Sequence, residues 1–463
     1  MKHPDLSSTT LFIAVFCGFL TPFDLSAVNI ALPAIAAEYS LDAVSLSWIS
    51  SIYLLASAAF LVPFGKIGDI YGRKRVLTLG IGLFTLASGC MILSLTSGML
   101  IASRFCQGIG AAMIYGTAVA ILTSVTNPAK RGHVLGIYTT FVYLGLSAGP
   151  CLGGILTSMF GWRSIFLINI PIGLLIIVLI GRYLRGEWAD AAGERFDRKG
   201  AVLYGVSLTA VMVGFSELPQ ITGFIALVAG VVLFGLFIFI EHREQYPLLY
   251  ISLFMKNRVF ACSNLAALIN YGSTFAITFF LSLYLQYIRG FDSLTAGFIL
   301  VVQPLIQAVF SSYAGTLSDR IEPGRIASLG MGIIAAGLII LSFLSPDTPL
   351  AELMVILAIL GLGYALFSSP NTNAIMSSVE RRYYGIASGT LGTMRLLGQM
   401  FSMGIAMMII AVVIGKVEIT PEISGQLMSA MSIGFQIFSV MCVIGIVFSL
   451  VRGNMREDIS SEK

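Results

Sequence analysis

The sequence predicts an all-α polytopic membrane protein: two pseudo-symmetric six-helix bundles plus two extra transmembrane helices between them. Three observations carry that prediction. Apolar runs of about 20 residues alternate with brief polar loops along the whole chain, and a helix crossing a hydrocarbon core of roughly 30 Å needs about that many. Only 11% of residues are charged, against roughly 25% in an ordinary globular domain. A charged, glycine-punctuated segment at 65–75, reading Gly-Lys-Ile-Gly-Asp-Ile-Tyr-Gly-Arg-Lys-Arg, has an echo at 315–325.

The first six spans fall near 10–33, 45–64, 76–96, 99–124, 134–158 and 164–182. The first also resembles a secretory leader, but Asp24 and Asn29 interrupt it and it is long enough to span. A pair follows at 201–216 and 222–240, its first member short enough to lie in the interface instead. The last six lie near 260–287, 294–316, 326–345, 350–376, 385–413 and 431–451. The expected organisation is therefore an N-terminal bundle over 1–185, a linker with the additional helices over 186–255, and a C-terminal bundle with a short cytoplasmic tail over 256–463.

An even number of spans puts both termini on one side. Placing them in the cytoplasm gives inside loops with Lys66, Arg73, Lys74, Arg75, Lys130, Arg131, Arg182, Arg185, Arg381 and Arg382. The outside loops then hold only Arg163, Arg289 and Lys416, as the positive-inside rule requires. The net charge of +4 is thus a topology signal, and no nucleic-acid partner is expected. All six cysteines lie in apolar runs and none forms a C-x-x-C pair, so neither a metal nor a disulfide framework is expected. No G-x-x-x-x-G-K-[ST] loop is present, which argues against ATP-driven pumping, and no cofactor is expected.

The echo extends beyond the loop. One constant shift carries Gly65, Asp69, Arg75 and Leu79-Gly80 onto Gly315, Asp319, Arg325 and Leu329-Gly330. Gly108-Ile109-Gly110 then corresponds to Gly361-Leu362-Gly363, and Lys130-Arg131 to Arg381-Arg382. Repeated halves of this kind are a known transporter plan with the substrate site at their interface.

Four motifs resemble those of the major facilitator superfamily, and within it the fourteen-helix drug:proton antiporters. Helix one carries Asp24-Leu25-Ser26 followed by Asn29-Ile30-Ala31-Leu32-Pro33, and 65–75 is similar to the superfamily's cytoplasmic loop motif. Helix four has Arg104-Phe105-Cys106-Gln107-Gly108. Helix five has Gly145-Leu146-Ser147-Ala148-Gly149-Pro150-Cys151-Leu152-Gly153, similar to a motif associated with exporters. Ile70 stands where the loop motif usually has arginine, and Ser26 where threonine is usual. The resemblance implies a proton-coupled exporter of small lipophilic, cationic drugs, an antiporter in the cell membrane and not an enzyme. Its partners are protons and the bilayer, its expected state a monomer. A porter for a specific metabolite on the same fold is the alternative, and a non-transporting sensor a third reading.

Each ionisable side chain within a span costs about 2.5–3.5 kcal/mol on insertion scales and needs a reason. Three are well embedded: Asp24, Arg104 and Arg395. Counting at about 1.5 Å per residue puts Asp24 and Arg104 at similar depth, and the resemblance implies that helices one and four line the cavity. Removal from water favours the neutral acid at Asp24 and a nearby guanidinium favours the carboxylate, a balance that alternating exposure would shift. A static pair pinning helix one to helix four is the alternative. Asp24 and Arg104 are thus the expected proton-coupling pair.

Gln107 and Tyr115 share a face of helix four with Arg104. With Asn29 and Arg395 they form the expected substrate-binding set, though Gln107 and Arg395 also suit interhelical bonding. The expected gating residues are Gly65, Asp69, Gly72, Arg73 and Lys74, with the two glycines permitting a turn and Asp69 approaching a helix N-terminus near Tyr384. Gly145, Gly149 and Gly153, bent at Pro150, add a smooth helix face that would seal the halves together.

Overall fold

The computed structural model describes residues 6–127, 131–380 and 384–453. Lys130, Arg381, Arg382, the first residues weighed as a leader and the tail from 454 lie outside the described residues. Among those described, fourteen helices are long and apolar enough to cross a membrane. The chain divides between Tyr250 and Ile251 into two compact units.

The first unit contains α1 (Leu6–Tyr39), α2 (Ala43–Tyr71), α3 (Arg73–Ile92), α4 (Ser97–Val125), α5 (Arg131–Phe160) and α6 (Arg163–Tyr183). It also contains α7 (Arg198–Glu217) and α8 (Ile221–Glu241), so the additional helix pair belongs to this unit. Polar residues start several of these helices by satisfying first-turn N–H groups. Asp42 accepts from Val44 and Ser45, Thr96 from Met99, and Asp197 from Gly200.

The glycine-rich segment expected as a loop is mostly helix. α2 runs through Gly65 to Tyr71, and only Gly72, at φ +118°, interrupts the path into α3. Hydropathy falls after Phe64, but helical backbone bonding does not depend on apolar side chains. Gly65 therefore makes no turn, and a Cβ there would meet open space; the close approach of α4 is made by Gly116, whose Cβ would stand 3.2 Å from Gly65 Cα.

Close helix approach in this unit is set by glycines. A Cβ on Gly145 would lie 2.5 Å from the Phe19 carbonyl, one on Gly153 2.8 Å from Ala27 Cα, and one on Gly149 would overlap Ser26. The stripe on α5, with Pro150 inside the helix, thus admits α1 of the same unit, where the sequence reading had expected a seal between the halves. α7 packs on α8 and reaches α2, where the Tyr204 hydroxyl donates to the Ala58 carbonyl at 3.1 Å.

The second unit contains α9 (Ile251–Lys256), α10 (Arg258–Thr274), α11 (Ala276–Leu283), α12 (Ser293–Leu300), α13 (Val302–Arg320), α14 (Pro323–Leu341), α15 (Leu350–Ser377), α16 (Tyr384–Val413) and α17 (Ser424–Val451). The repeat in the sequence is a repeat of packing partners. In the first unit α1 packs on α5, α2 on α4, and α3 on α4 and α6; in the second α10 packs on α16, α13 on α15, and α14 on α15 and α17. A Cβ on Gly110 would meet the Gly80 carbonyl at 2.8 Å, and one on Gly363 the Gly330 carbonyl at 2.9 Å. The span read as one helix near 260–287 is broken after Thr274 and ends in a π-helical turn, Tyr284–Ile288. The break exposes the Ala276 N–H, which donates to Ser402 Oγ at 3.0 Å.

Candidate functional site

The first unit encloses a polar cluster inside its helices. Asp24 on α1 and Arg104 on α4, the expected proton-coupling pair, are both 0% exposed and form an ion pair at 2.6 Å. Taking two such ions out of water costs several kcal/mol each, so the remaining lone pairs and N–H groups need partners.

Most have them. Arg104 Nη1 donates to Asp24 Oδ2, and also to Oε1 of Gln107 one turn along α4. Gln107 Nε2 donates to Asp24 Oδ1 at 3.1 Å and to Ser88 Oγ on α3 at 3.0 Å. Asn169 Nδ2, from α6, donates to the same Oδ1 at 2.6 Å. Arg104 Nε reaches the Ile49 carbonyl on α2 at 3.3 Å, and the guanidinium lies over the rings of Tyr53 and Phe166 at 4.4 and 5.9 Å. Two atoms remain without hydrogen bonds, Arg104 Nη2 and Asn169 Oδ1, so the cluster holds a spare donor and a spare acceptor. Five helices contribute to one carboxylate–guanidinium pair.

A bidentate ion pair at one end of the unit fixes α1 relative to α6. Arg163, at the start of α6, donates to both oxygens of Glu38 near the end of α1 at 2.7 and 2.6 Å, and the Trp162 indole N–H adds a bond to Glu38 at 2.7 Å.

The substrate-binding candidates are distributed differently. Gln107 belongs to the cluster. Asn29 is buried on α1, and its Oδ1 accepts from Ser50 Oγ on α2 at 2.8 Å. Tyr115, about two turns along α4, is half-buried. Arg395 lies in the second unit on α16, with its guanidinium over the Tyr271 ring at 5.3 Å. Among the gating candidates, Asp69 accepts from Nε and Nη2 of Arg73 at 2.7 Å. Ile70, in the place of the usual arginine, is buried. Lys74 binds the segment after α6: its backbone N–H donates to Glu187 at 2.8 Å.

Sequence reasoning missed Ser88 and Asn169. The usable signal at Asn169 was a lone amide in the run Leu167-Ile168-Asn169-Ile170, just before Pro171. A search confined to ionisable groups passes over it.

A repeated architecture of membrane-spanning helices, with a buried acid–base pair in one repeat, is the plan of a membrane transporter of small molecules. The chain belongs to the major facilitator superfamily, whose family model matches residues 14–403 and 263–458. It is a multi-pass membrane transporter and not an enzyme. It is 32% identical over 396 residues to the riboflavin transporter RibZ of Clostridioides difficile (strain 630), covering 86% of each chain. It is 30% identical over 403 residues to the multidrug resistance protein Stp of Mycobacterium tuberculosis (strain CDC 1551 / Oshkosh), covering 85% of this chain and 74% of that one. A bacterial homologue of the human lysosomal transporter Spinster shares the fold at a TM-score of 0.69 with 16% identity, over 97% of both chains.

Proposed function

We propose that the protein is a proton-coupled exporter of lipophilic, cationic drugs that works by alternating access in the cell membrane, as a monomer with both termini in the cytoplasm. The observation that carries this reading is the fully buried Asp24–Arg104 pair with its amide partners. Protonating Asp24 would leave the Arg104 charge uncompensated in a buried site, so the helices must rearrange or the guanidinium must find another partner. Arrival of a proton is thereby tied to a structural change. Asn29, Gln107, Tyr115 and Arg395 are the proposed substrate contacts. Asp69 with Arg73 and Lys74 around Gly72 forms the proposed gate.

The identity to Stp, a multidrug resistance protein, supports export of drugs and a part in antibiotic resistance. Exchange of one proton for one monovalent cation is electroneutral, so a pH gradient alone drives it; for a neutral substrate the membrane potential adds about 2.3 kcal/mol per 100 mV. The test uses purified protein in liposomes under an imposed pH gradient, with ethidium as the probe. Proton entry should drive ethidium out against its gradient. Asp24→Asn should abolish the coupling while the protein still inserts and elutes as a folded species. Uphill movement by that variant would remove Asp24 from the mechanism.

A second reading has its own support. The similarity to RibZ, a riboflavin transporter, favours a porter for a defined polar metabolite. Saturable, gradient-dependent flux of such a metabolite with no ethidium movement would select it.

A further inference from the structure

The segment joining α6 to α7 carries four acids; Asp197 caps α7, and the other three, Glu187, Asp190 and Glu194, each bind the junction of α2 and α3. Lys66 Nζ pairs with Glu194 at 2.6 Å. Arg73 Nη1 pairs with Asp190 at 2.7 Å while Nη2 of the same guanidinium holds Asp69 at 2.7 Å. Glu187 accepts from the Lys74 backbone N–H at 2.8 Å and stands 3.6 Å from Arg75.

The backbone joins in from both sides. The Arg73 N–H donates to the Trp188 carbonyl at 2.8 Å, and the Ala191 N–H donates to the Asp69 carbonyl at 2.9 Å. Lys74 Nζ adds a bond to the Leu184 carbonyl at 2.5 Å. A Cβ on Gly72 would lie 2.5 Å from Glu187 Cδ. A side chain at Gly72 would therefore displace the Glu187 carboxylate, and the positive φ there favours glycine as well.

A connector with no further task would leave its acids in water. Exposed ion pairs are individually weak, but here three of them flank two reciprocal backbone bonds, and Lys66 is buried. Asp69 is gripped twice, its carboxylate by Arg73 and its carbonyl by the strap. Arg73 also reaches Ser124 Oγ near the end of α4 at 2.8 Å, so a single guanidinium ties the strap to α2 and α4. Anything that moves Asp69 or Arg73 must first loosen residues 187–194.

We infer that Glu187, Asp190 and Glu194 are positioning residues for transport: the docked strap holds the Asp69–Arg73 pair in register across the α2–α3 junction, and each turnover undocks and redocks it. For its flux arm this rests on the proposed exporter activity; its docking arm stands apart.

The docking arm is hydrogen–deuterium exchange on the full chain in lipid nanodiscs, read over peptides containing Arg73 and Ala191. Lys66→Glu should speed exchange there at least tenfold, and the swap Lys66→Glu with Glu194→Lys should return it to within threefold of the parent. In the flux arm, the triple variant Glu187→Gln, Asp190→Asn, Glu194→Gln should lower the maximal rate of ethidium exchange at least fivefold with KM within twofold. The charge swap should recover most of the rate lost in Lys66→Glu. Exchange that ignores Lys66→Glu overturns the docking, and fast exchange with parental turnover overturns the role in transport. If the parent moves no ethidium, the exporter reading fails by itself. The strap is then judged by whether the swap restores protection: failure to restore it refutes the strap, restoration supports it.

Discussion

Asn169 donates to Oδ1 of Asp24 at 2.6 Å, so the carboxylate is held from α6 as well as by Arg104 and Gln107 from α4. The three donors divide the labour: Arg104 takes one oxygen, and the two amides share the other. Substituting Asn169 by Ala removes a bond to a charged acceptor and leaves Asp24 short of one donor. A loss of about 1.5–3 kcal/mol follows, read as a lowered unfolding midpoint in detergent micelles. An unchanged midpoint would mean that Asn169 contributes nothing to holding the carboxylate.

The ion pair itself makes a sharper case. Asp24→Asn and Arg104→Gln each strand a buried charge and should cost about 3–5 kcal/mol. Made together they leave two neutral amides, and the double variant should be more stable than the sum of the singles by about 0.5–3 kcal/mol. Strict additivity in the thermodynamic cycle would show that the two groups do not interact.

Gly145→Ala should destabilise by about 1–3 kcal/mol, because its Cβ would stand 2.5 Å from the Phe19 carbonyl, a backbone atom with no freedom to rotate away. Gly205→Ala is the control. It lies in α7 with open space around it, and should be neutral or gain up to about 1 kcal/mol from helix propensity. Equal effects at both positions would contradict the packing of α5 on α1.

Asp292 caps α12, accepting from the Thr295 N–H at 3.1 Å. Bonding to Thr295 holds its carboxyl below the ordinary range. The sign follows directly: this contribution is present above the unfolded carboxylate value of about 3.9 and is lost as pH falls through the lower folded value. Asp292→Ala should therefore cost about 1 kcal/mol near neutrality. The gap between parent and variant should close on acidification, checked by unfolding midpoints along a pH series.

The Asp24–Arg104 pairing was legible because a charge in oil must be answered, and counting residues along two helices puts the two side chains at one depth. Gln107 was legible from its spacing to Arg104. Asn169 was not, since a single amide among isoleucines gives no sign of which helix it faces. The segment 65–75 was legible as charge and glycine but misjudged as a loop, because composition marks where apolar side chains stop and not where backbone bonding stops. Glu187, Asp190 and Glu194 fall in the linker that begins at 186 and carried no reading of their own. Nothing local to them names Lys66 or Arg73 as partners.

The sequence by itself determined the number of spans, the repeat and the buried pair. Lipid imposes a rule that acts along the chain: each crossing needs about 20 apolar residues with every backbone group bonded within the helix. Only the tertiary structure decided that α6 supplies another donor to Asp24, that the glycines of α5 admit α1, and that the connector after α6 fastens α2 to α3. Helices in a bilayer associate through close shape complementarity, with no hydrophobic drive between them, and that fit depends on side chains more than a hundred residues apart in the chain.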